Sequence, residues 1–100
     1  MARLTSTADL RNIIAEPRPA TRSKILDALD EQSTDFLKRC PFALVGTTAE
    51  DGTIEVSPKG DEPGFIRIED SRTLLIPERV GNNLAFGLSN ILTTGKVGII

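Results

Sequence analysis

Residues 42–57 have the sequence FALVGTTAEDGTIEVS, and this stretch decides the class of fold. Two runs of strand-forming residues, 42–48 and 53–57, stand on either side of Asp51-Gly52. An Asp-Gly pair favours the positive backbone angles of a tight hairpin turn, so the two runs are expected to pair as antiparallel strands. The stretch therefore predicts antiparallel β-structure in the middle of the chain.

Further strands follow without helices between them. A polar loop leads to strand-like residues 65–68, and a short turn leads to a second such run, 73–77. Strand directly after strand disfavours a doubly wound parallel sheet and favours a small barrel or sandwich. A helix over about residues 82–92 is expected to cross before a final strand. The predicted class is α+β with an antiparallel barrel core.

Two amphipathic helices are expected before the sheet and outside it. Ser6 or Thr7 is suited to cap the first helix, which Pro17 and Pro19 end. A second helix is predicted over residues 20–40. Its apolar residues recur at helical spacing: Ile25, Leu26, Leu29, Phe36 and Leu37.

The whole chain, 1–100, is interpreted as one domain, with helices in 6–40 and a barrel core in 42–100. The last five residues, KVGII, have the pattern of a buried strand and end without a turn signal or polar cap. We therefore expect an N-terminal piece of a longer fold. An apolar strand edge left without partners within the chain favours association with a second copy. The apolar residues concerned are Val97, Ile99 and Ile100.

Composition excludes several classes of function. The net charge is −2, the pI is about 5.1, and the basic residues are scattered, so nucleic acid is not an expected partner. No run approaches the roughly 20 apolar residues that cross a bilayer, and no signal-peptide core follows the first residues, so a cytoplasmic protein without membrane attachment is expected. Cys40 is the single cysteine and histidine is absent, which disfavours disulfides, thiol–imidazole chemistry and zinc. Cys40 is expected to be packed.

Lys59 is one candidate for holding an anion. It follows Ser57-Pro58 near a strand end, where its ammonium could reach a phosphate or the edge of a flat ring, and Gly60 would let a ligand approach the backbone. A solvated lysine in a turn explains the same string without a ligand. The adjacent carboxylates of Asp61 and Glu62 are expected to be solvated loop residues without a catalytic role.

A second candidate site combines a guanidinium, a glycine and two amides at the predicted start of the third helix, where an anion is favoured. These residues are Arg79, Gly81, Asn82 and Asn83. Helix capping by Asn82 and a turn at Gly81 explain them equally well. Convergence of Ser57, Lys59 and Arg79 at one mouth would favour a pocket. On the same helix, Phe86, Leu88 and Ile91 are expected to cover the sheet as core residues.

Several longer strings carry a family resemblance. They are ATRSKILDALDEQSTDFLKRCPF (20–42), VSPKGDEPGFIRI (56–68), TLLIPERVGNN (73–83), LSNIL (88–92) and KVGII (96–100). Together they resemble the pyridoxamine 5′-phosphate oxidase-like family of FMN-binding split barrels. The match is to a bacterial subgroup with the patterns S-P-[KR]-G-D-x-P-G-F, L-I-P-[DE]-R-x-G-N-N and N-I-L. This resemblance implies an antiparallel split β-barrel with flanking N-terminal helices, incomplete at its carboxy-terminal end.

The resemblance also implies a homodimer with FMN at the interface. By resemblance, the residues lining the flavin ring and ribityl chain would be Ser57, Pro58, Lys59 and Gly60, with Asp61 orienting Lys59. Those holding the phosphate would be Arg79, Gly81, Asn82 and Asn83. Two positions depart from the family pattern, because Leu84 stands where a basic residue is expected and Phe86 where a polar residue is expected. This departure predicts weaker binding of the phosphate.

The function implied by the resemblance is an FMN-dependent oxidoreductase acting on an unidentified small molecule, with a deazaflavin as the alternative cofactor. A hydride would pass between a reduced nicotinamide or organic substrate and the flavin, and Lys59 would stabilise negative charge on the reduced ring. One alternative is a noncatalytic flavin-binding or dimerisation module. Another is a barrel scaffold that binds no cofactor.

Overall fold

A computed structural model describes residues 3–79 and 84–100 as an α+β fold with antiparallel strands. The helices within those ranges are α1 (Thr7–Ile13), α2 (Pro19–Arg22), α3 (Glu31–Arg39) and α4 (Phe86–Thr94). The strands are β1 (Phe42–Thr48), β2 (Ile54–Gly60), β3 (Arg67–Asp70), β4 (Thr73–Leu75) and β5 (Val97–Ile99). The α+β class and the antiparallel pairing predicted from the sequence are confirmed.

The predicted hairpin joins β1 and β2. The two strands pair in antiparallel register from Phe42 opposite Gly60 to Thr48 opposite Ile54. Gly52 has a φ of 90°, and its N–H donates to the carbonyl of Ala49 at 3.0 Å, which closes the turn. A glycine is favoured there because a side chain would strain this backbone conformation.

The described residues form two open sheets. One has the order β2-β1-β5 and the other is the β3-β4 pair, and the two are not joined into a closed barrel. The expectation that Val97 and Ile99 lack partners is wrong for their backbone, since β5 pairs with β1. Their side chains are nonetheless 50% and 40% exposed.

Strand β2 extends through Pro58 to Gly60, three residues beyond the predicted end. Leu44, the β1 partner of Pro58, exchanges both of its backbone hydrogen bonds with Ile100 on the other side of β1. The nitrogen of Pro58 therefore faces the outer edge of β2, where a strand tolerates the missing donor.

The predicted first helix is confirmed, because Ser6 caps α1 by accepting a hydrogen bond from the Asp9 N–H at 3.0 Å. The single helix predicted over 20–40 is wrong, since α2 and α3 are separate elements. Asp30 has an extended backbone and accepts from the Ser33 N–H at 2.7 Å, so it caps α3 and interrupts the helical pattern.

The helices are short. The helices within residues 3–79 and 84–100 are at most nine residues long, and none of them is long and apolar enough to cross a bilayer.

The core is small for a chain of this length. The buried apolar residues of the described ranges are Cys40, Ala43, Val45 and Ile66. The radius of gyration is 17.4 Å, against about 13 Å for a compact chain of 100 residues. Cys40 is packed as predicted, and its Sγ donates to the carbonyl of Phe42 at 2.9 Å. Much of the apolar surface of the described residues is therefore exposed rather than buried in a core.

Candidate functional site

A groove of about 860 Å³ lies on one face of the three-stranded sheet. Side chains alternate along β2, so Glu55, Ser57 and Lys59 share the face that carries the buried Val45 and Thr47 of β1. Helix α4 and the residues around β4 form the remaining walls. The volume falls within the range of about 300–1,000 Å³ that is usual for small-molecule sites.

The walls of the groove are largely apolar. Phe86, Leu88 and Ile91 of α4 line it together with Val97 and Ile99 of β5. The prediction that the three α4 residues are core residues is wrong, because their side chains are 54%, 42% and 37% exposed. These side chains line the groove and are partly exposed there.

The groove brings together the described part of the predicted site. Ser57 and Lys59 point to its face, Pro58 and Gly60 border it, and Arg79 lies at its rim. A Cβ on Gly60 would meet its nearest neighbours at 3.5 Å, an ordinary contact, so packing within the chain does not require glycine there. The predicted phosphate-binding residues Gly81, Asn82 and Asn83 lie outside the described residues.

The helix predicted over residues 82–92, which is α4, begins later than the sequence predicts. Helix α4 starts at Phe86, and its cap residue is Ala85, which has a φ of 52° and makes no side-chain capping bond. Ala85, Phe86 and Gly87 all line the groove. The N-terminal end of α4 therefore lies at the groove, and the helix begins four residues later in the chain than predicted.

Lys59 is held by a carboxylate. Its Nζ lies 3.1 Å from both Oε1 and Oε2 of Glu78, and the Lys59 side chain is only 26% exposed. This pair connects β2 to the segment after β4. Glu78 was missed by the sequence reasoning, although its position beside Arg79 gives the segment neighbouring opposite charges, a signal that could have identified it.

Arg79 is also held by a carboxylate. Its Nε donates to Oδ2 of Asp61 at 2.7 Å, and its Nη2 donates to the same oxygen. The backbone N–H of Glu62 and then the Arg79 guanidinium lower the pKa of Asp61 below its usual value. Asp61 is thus bonded rather than freely solvated, and it contacts Arg79 and not Lys59, which corrects the orienting role that the resemblance implied.

The third cation lining the groove is Arg72, whose Nη2 lies 3.1 Å from Oδ2 of Asp27. Among the described residues, each cationic side chain that lines the groove therefore has a carboxylate partner. Two of the pairs form one cluster. We call Lys59, Asp61, Glu78 and Arg79 the clasp, because they connect the end of β2 with residues 78–79.

The chain matches no family model, no curated protein and no solved structure. Over residues 3–79 and 84–100, no three acidic or cysteine side chains are grouped as metal ligands. The groove instead combines apolar walls and the hydroxyls of Thr47 and Ser57 with the ion-paired cations of the clasp.

This arrangement suits a flat ligand with an anionic end. The apolar walls would remove the surface of a ring from water, and Arg79 of the clasp would contact the anion. Ser57 and Lys59 would supply hydrogen bonds between these two parts. Since the described groove has no histidine or cysteine, covalent chemistry of the thiol or imidazole type is not indicated by its lining.

Proposed function

We propose that this chain is a flavin-binding protein of the pyridoxamine 5′-phosphate oxidase-like type and acts as an FMN-dependent oxidoreductase on a small organic molecule. The observation that supports it most is that Ser57, Lys59 and Arg79, which are separate in sequence, all line one groove with apolar walls. FMN has the matching chemistry, with a flat ring at one end and a phosphate at the other. Its deazaflavin analogue would fit the same groove.

The sheets would belong to a split barrel, and two copies would form a dimer with the flavin between them. This proposal is supported by apolar side chains that the groove leaves exposed, such as Phe86, Val97 and Ile99. Covering them with a second copy would remove that surface from water, which favours association.

The residues of the chain would have distinct roles in the reaction. Bound FMN supplies the capacity to accept and donate a hydride. Lys59 would lie beside the ring, where its positive charge stabilises negative charge and its Nζ donates a hydrogen bond. Ser57 would hydrogen-bond the polar part of the ligand, and Arg79 would hold the phosphate. The apolar walls would orient the ring and exclude water from one side.

Reconstitution with FMN followed by gel filtration tests the proposal. We expect flavin absorbance to elute with the protein. The substitution Lys59→Met should weaken FMN binding about tenfold, because a hydrogen bond to a charged group contributes on the order of 1.5 kcal/mol. Lys38→Met, on the exposed side of α3, is the matched control and should bind like the unsubstituted protein. A colourless protein fraction would refute the proposal.

A noncatalytic flavin-binding or dimerisation module is the second candidate. It is favoured by the large exposed apolar surface and by Leu84 at the groove, where the family pattern has a basic residue. The two candidates differ in whether bound flavin is reduced by an electron donor.

A further inference from the structure

The clasp places a carboxylate on each cation that the proposed function assigns to a ligand phosphate or ring. Lys59 contacts both oxygens of Glu78, and Arg79 contacts Asp61 through two nitrogens. Its two cations are therefore balanced by two carboxylates. An anion entering this end of the groove meets paired cations and not a net positive surface.

Ion pairs of this kind can be displaced. The side chains of Glu78 and Arg79 are 46% and 70% exposed, so water and salt screen both pairs. A phosphate dianion carries more charge than one carboxylate and offers three acceptor oxygens. Glu78, which holds Lys59, directly precedes Arg79 in the chain, and Asp61 lies two residues after Lys59, so the two pairs are neighbours that one ligand could approach.

We propose that Glu78 and Asp61 act as internal counter-anions, which hold Lys59 and Arg79 until a phosphorylated ligand displaces them and so lower the affinity of the groove for anions. The inference rests on the proposed function only in taking the ligand to be phosphorylated. It assigns Glu78 and Asp61 a part in setting affinity, without contact with the reacting atoms. Binding would then depend more strongly on the apolar part of the ligand.

The physical reason is competition. A carboxylate tethered next to its cation is present at a high effective concentration, so any external anion must replace an existing contact. Inorganic anions that lack an apolar part would gain little from this exchange. A ligand whose ring also occupies the apolar walls would add the free energy of burial and could complete the displacement.

The variants Glu78→Gln and Asp61→Asn test this competition while keeping the packing. Each amide retains an oxygen that can accept the hydrogen bond from Lys59 or Arg79, so residues 78–79 can stay attached to β2. Glu62→Gln is the matched control, because it removes one negative charge next to the clasp without removing either pair. Unfolding midpoints of all variants in urea establish that the fold is kept.

Two probes are titrated into each protein: FMN, followed by flavin fluorescence, and inorganic phosphate, followed by NMR of the side-chain nitrogens. We expect each single variant to bind both probes about two- to fivefold more tightly, which is the factor that an exposed ion pair commonly contributes. The double variant should bind more tightly than either single variant, and Glu62→Gln should match the unsubstituted protein.

The salt dependence of phosphate binding distinguishes the counter-anion role from a purely structural role of the two carboxylates. In the unsubstituted protein, salt weakens the contact with the ligand and also the competing internal pairs, so part of its effect cancels. In the double variant this compensation is absent, and the dissociation constant for phosphate should rise more steeply with salt. Phosphate added to the unsubstituted protein should also shift the carboxyl carbon signals of Glu78 and Asp61.

The outcomes separate this inference from the proposed function. If inorganic phosphate binds more tightly to the variants while FMN binds to none of the proteins, the counter-anion role stands and the flavin proposal fails. If FMN binds equally to all proteins, the flavin proposal stands and the counter-anion role is refuted. Weaker binding of both probes to the variants, or no phosphate binding even to the double variant, would also refute that role.

Discussion

Asn90 donates from Nδ2 to Oγ1 of Thr47 across 3.1 Å, and this hydrogen bond joins α4 to β1. Both residues are buried, with 8% and 3% of their surface exposed. A Cβ on Gly87 would lie 3.9 Å from the same Oγ1, so the helix also approaches the strand closely one turn earlier. Since α4 carries Phe86 and Ile91, this contact contributes to the position of the apolar wall of the groove.

We predict that Asn90→Ala destabilises the protein by about 1–3 kcal/mol, because it leaves the buried Thr47 hydroxyl without its partner. Ser89→Ala is the matched control on the exposed side of the same turn and should change stability much less. Urea unfolding measures both. Equal unfolding midpoints for Asn90→Ala and Ser89→Ala would show that the hydrogen bond does not hold the helix.

Gly64 is predicted to be essential to the connection between α3 and the loop after β2. It has a φ of 84°, and a Cβ there would lie 2.7 Å from the backbone carbonyl oxygen of Lys38. Gly64→Ala therefore meets both a strained backbone and a clash, and should cost more than the roughly 1–2 kcal/mol expected for the left-handed conformation alone. Gly52 has a φ of 90°, and a Cβ there would meet no atom within 4 Å, so Gly52→Ala measures the cost of the backbone conformation by itself.

The comparison uses thermal or urea unfolding of the two alanine variants. A larger loss for Gly64→Ala than for Gly52→Ala isolates the clash with α3. Equal losses would mean that the loop moves away from Lys38 without cost.

Local rules were sufficient for the elements whose signals lie within a few residues. Asp51-Gly52 specified the hairpin because the turn depends on its own backbone angles, and Ser6 specified the start of α1 because a cap bonds three residues ahead. The helix predicted over 20–40 failed where a distant contact intervenes: the Leu29 N–H donates to the carbonyl of Ser71 at 2.7 Å. The helical spacing of apolar residues gives no information about this long-range hydrogen bond.

The candidate site shows the same division. Sequence reasoning selected Ser57, Lys59 and Arg79, and the structure places all three at one groove. It could not identify Glu78 and Asp61 as their partners, because that pairing depends on how the segment after β4 returns to β2. Phe86 and Ile91 had the spacing of core residues, but spacing does not reveal whether the facing surface is filled.

The pKa of Asp61 provides a test of the clasp. Its first cause of lowering is the backbone N–H of Glu62, which donates to Oδ1 at 2.8 Å, and its second is the hydrogen bond from Arg79. We predict that Arg79→Gln raises the Asp61 pKa without restoring the ordinary value of 3.8, because the bond from Glu62 remains. Carboxyl carbon NMR measures this, with Arg67→Gln as a control.

The direction of the accompanying stability change follows from the sign of the shift. A carboxyl whose pKa is lower in the folded state contributes stability above its unfolded pKa, and that contribution is lost as the pH falls through the folded value. The contribution of Asp61 should therefore be present at neutral pH and disappear below pH 3.8. A pKa in Arg79→Gln equal to that of the unsubstituted protein would show that the guanidinium has no effect.

Reduction of bound flavin distinguishes an oxidoreductase from a noncatalytic module. We predict that anaerobic addition of a reduced nicotinamide to the FMN-loaded protein bleaches the visible flavin band faster than it does for free FMN. Lys59→Met, measured at saturating FMN, should slow bleaching by about tenfold or more, because it removes a donor that stabilises negative charge. A stable band in the loaded protein would favour the module.

The two faces of the sheet make different predictions for the proposed dimer. Val97 and Ile99 line the groove, whereas Ile54 alternates to the opposite face of the sheet, where it is 70% exposed and does not line the groove. If a second copy covers the groove, Val97→Lys/Ile99→Lys should dissociate the dimer, since a lysine ammonium is costly to bury without a partner. Ile54→Lys is the matched control for Ile99→Lys alone and should remain dimeric. Sedimentation at several protein concentrations measures all of these variants, and dissociation by Ile54→Lys alone would place the interface on the wrong side of the sheet for a shared flavin.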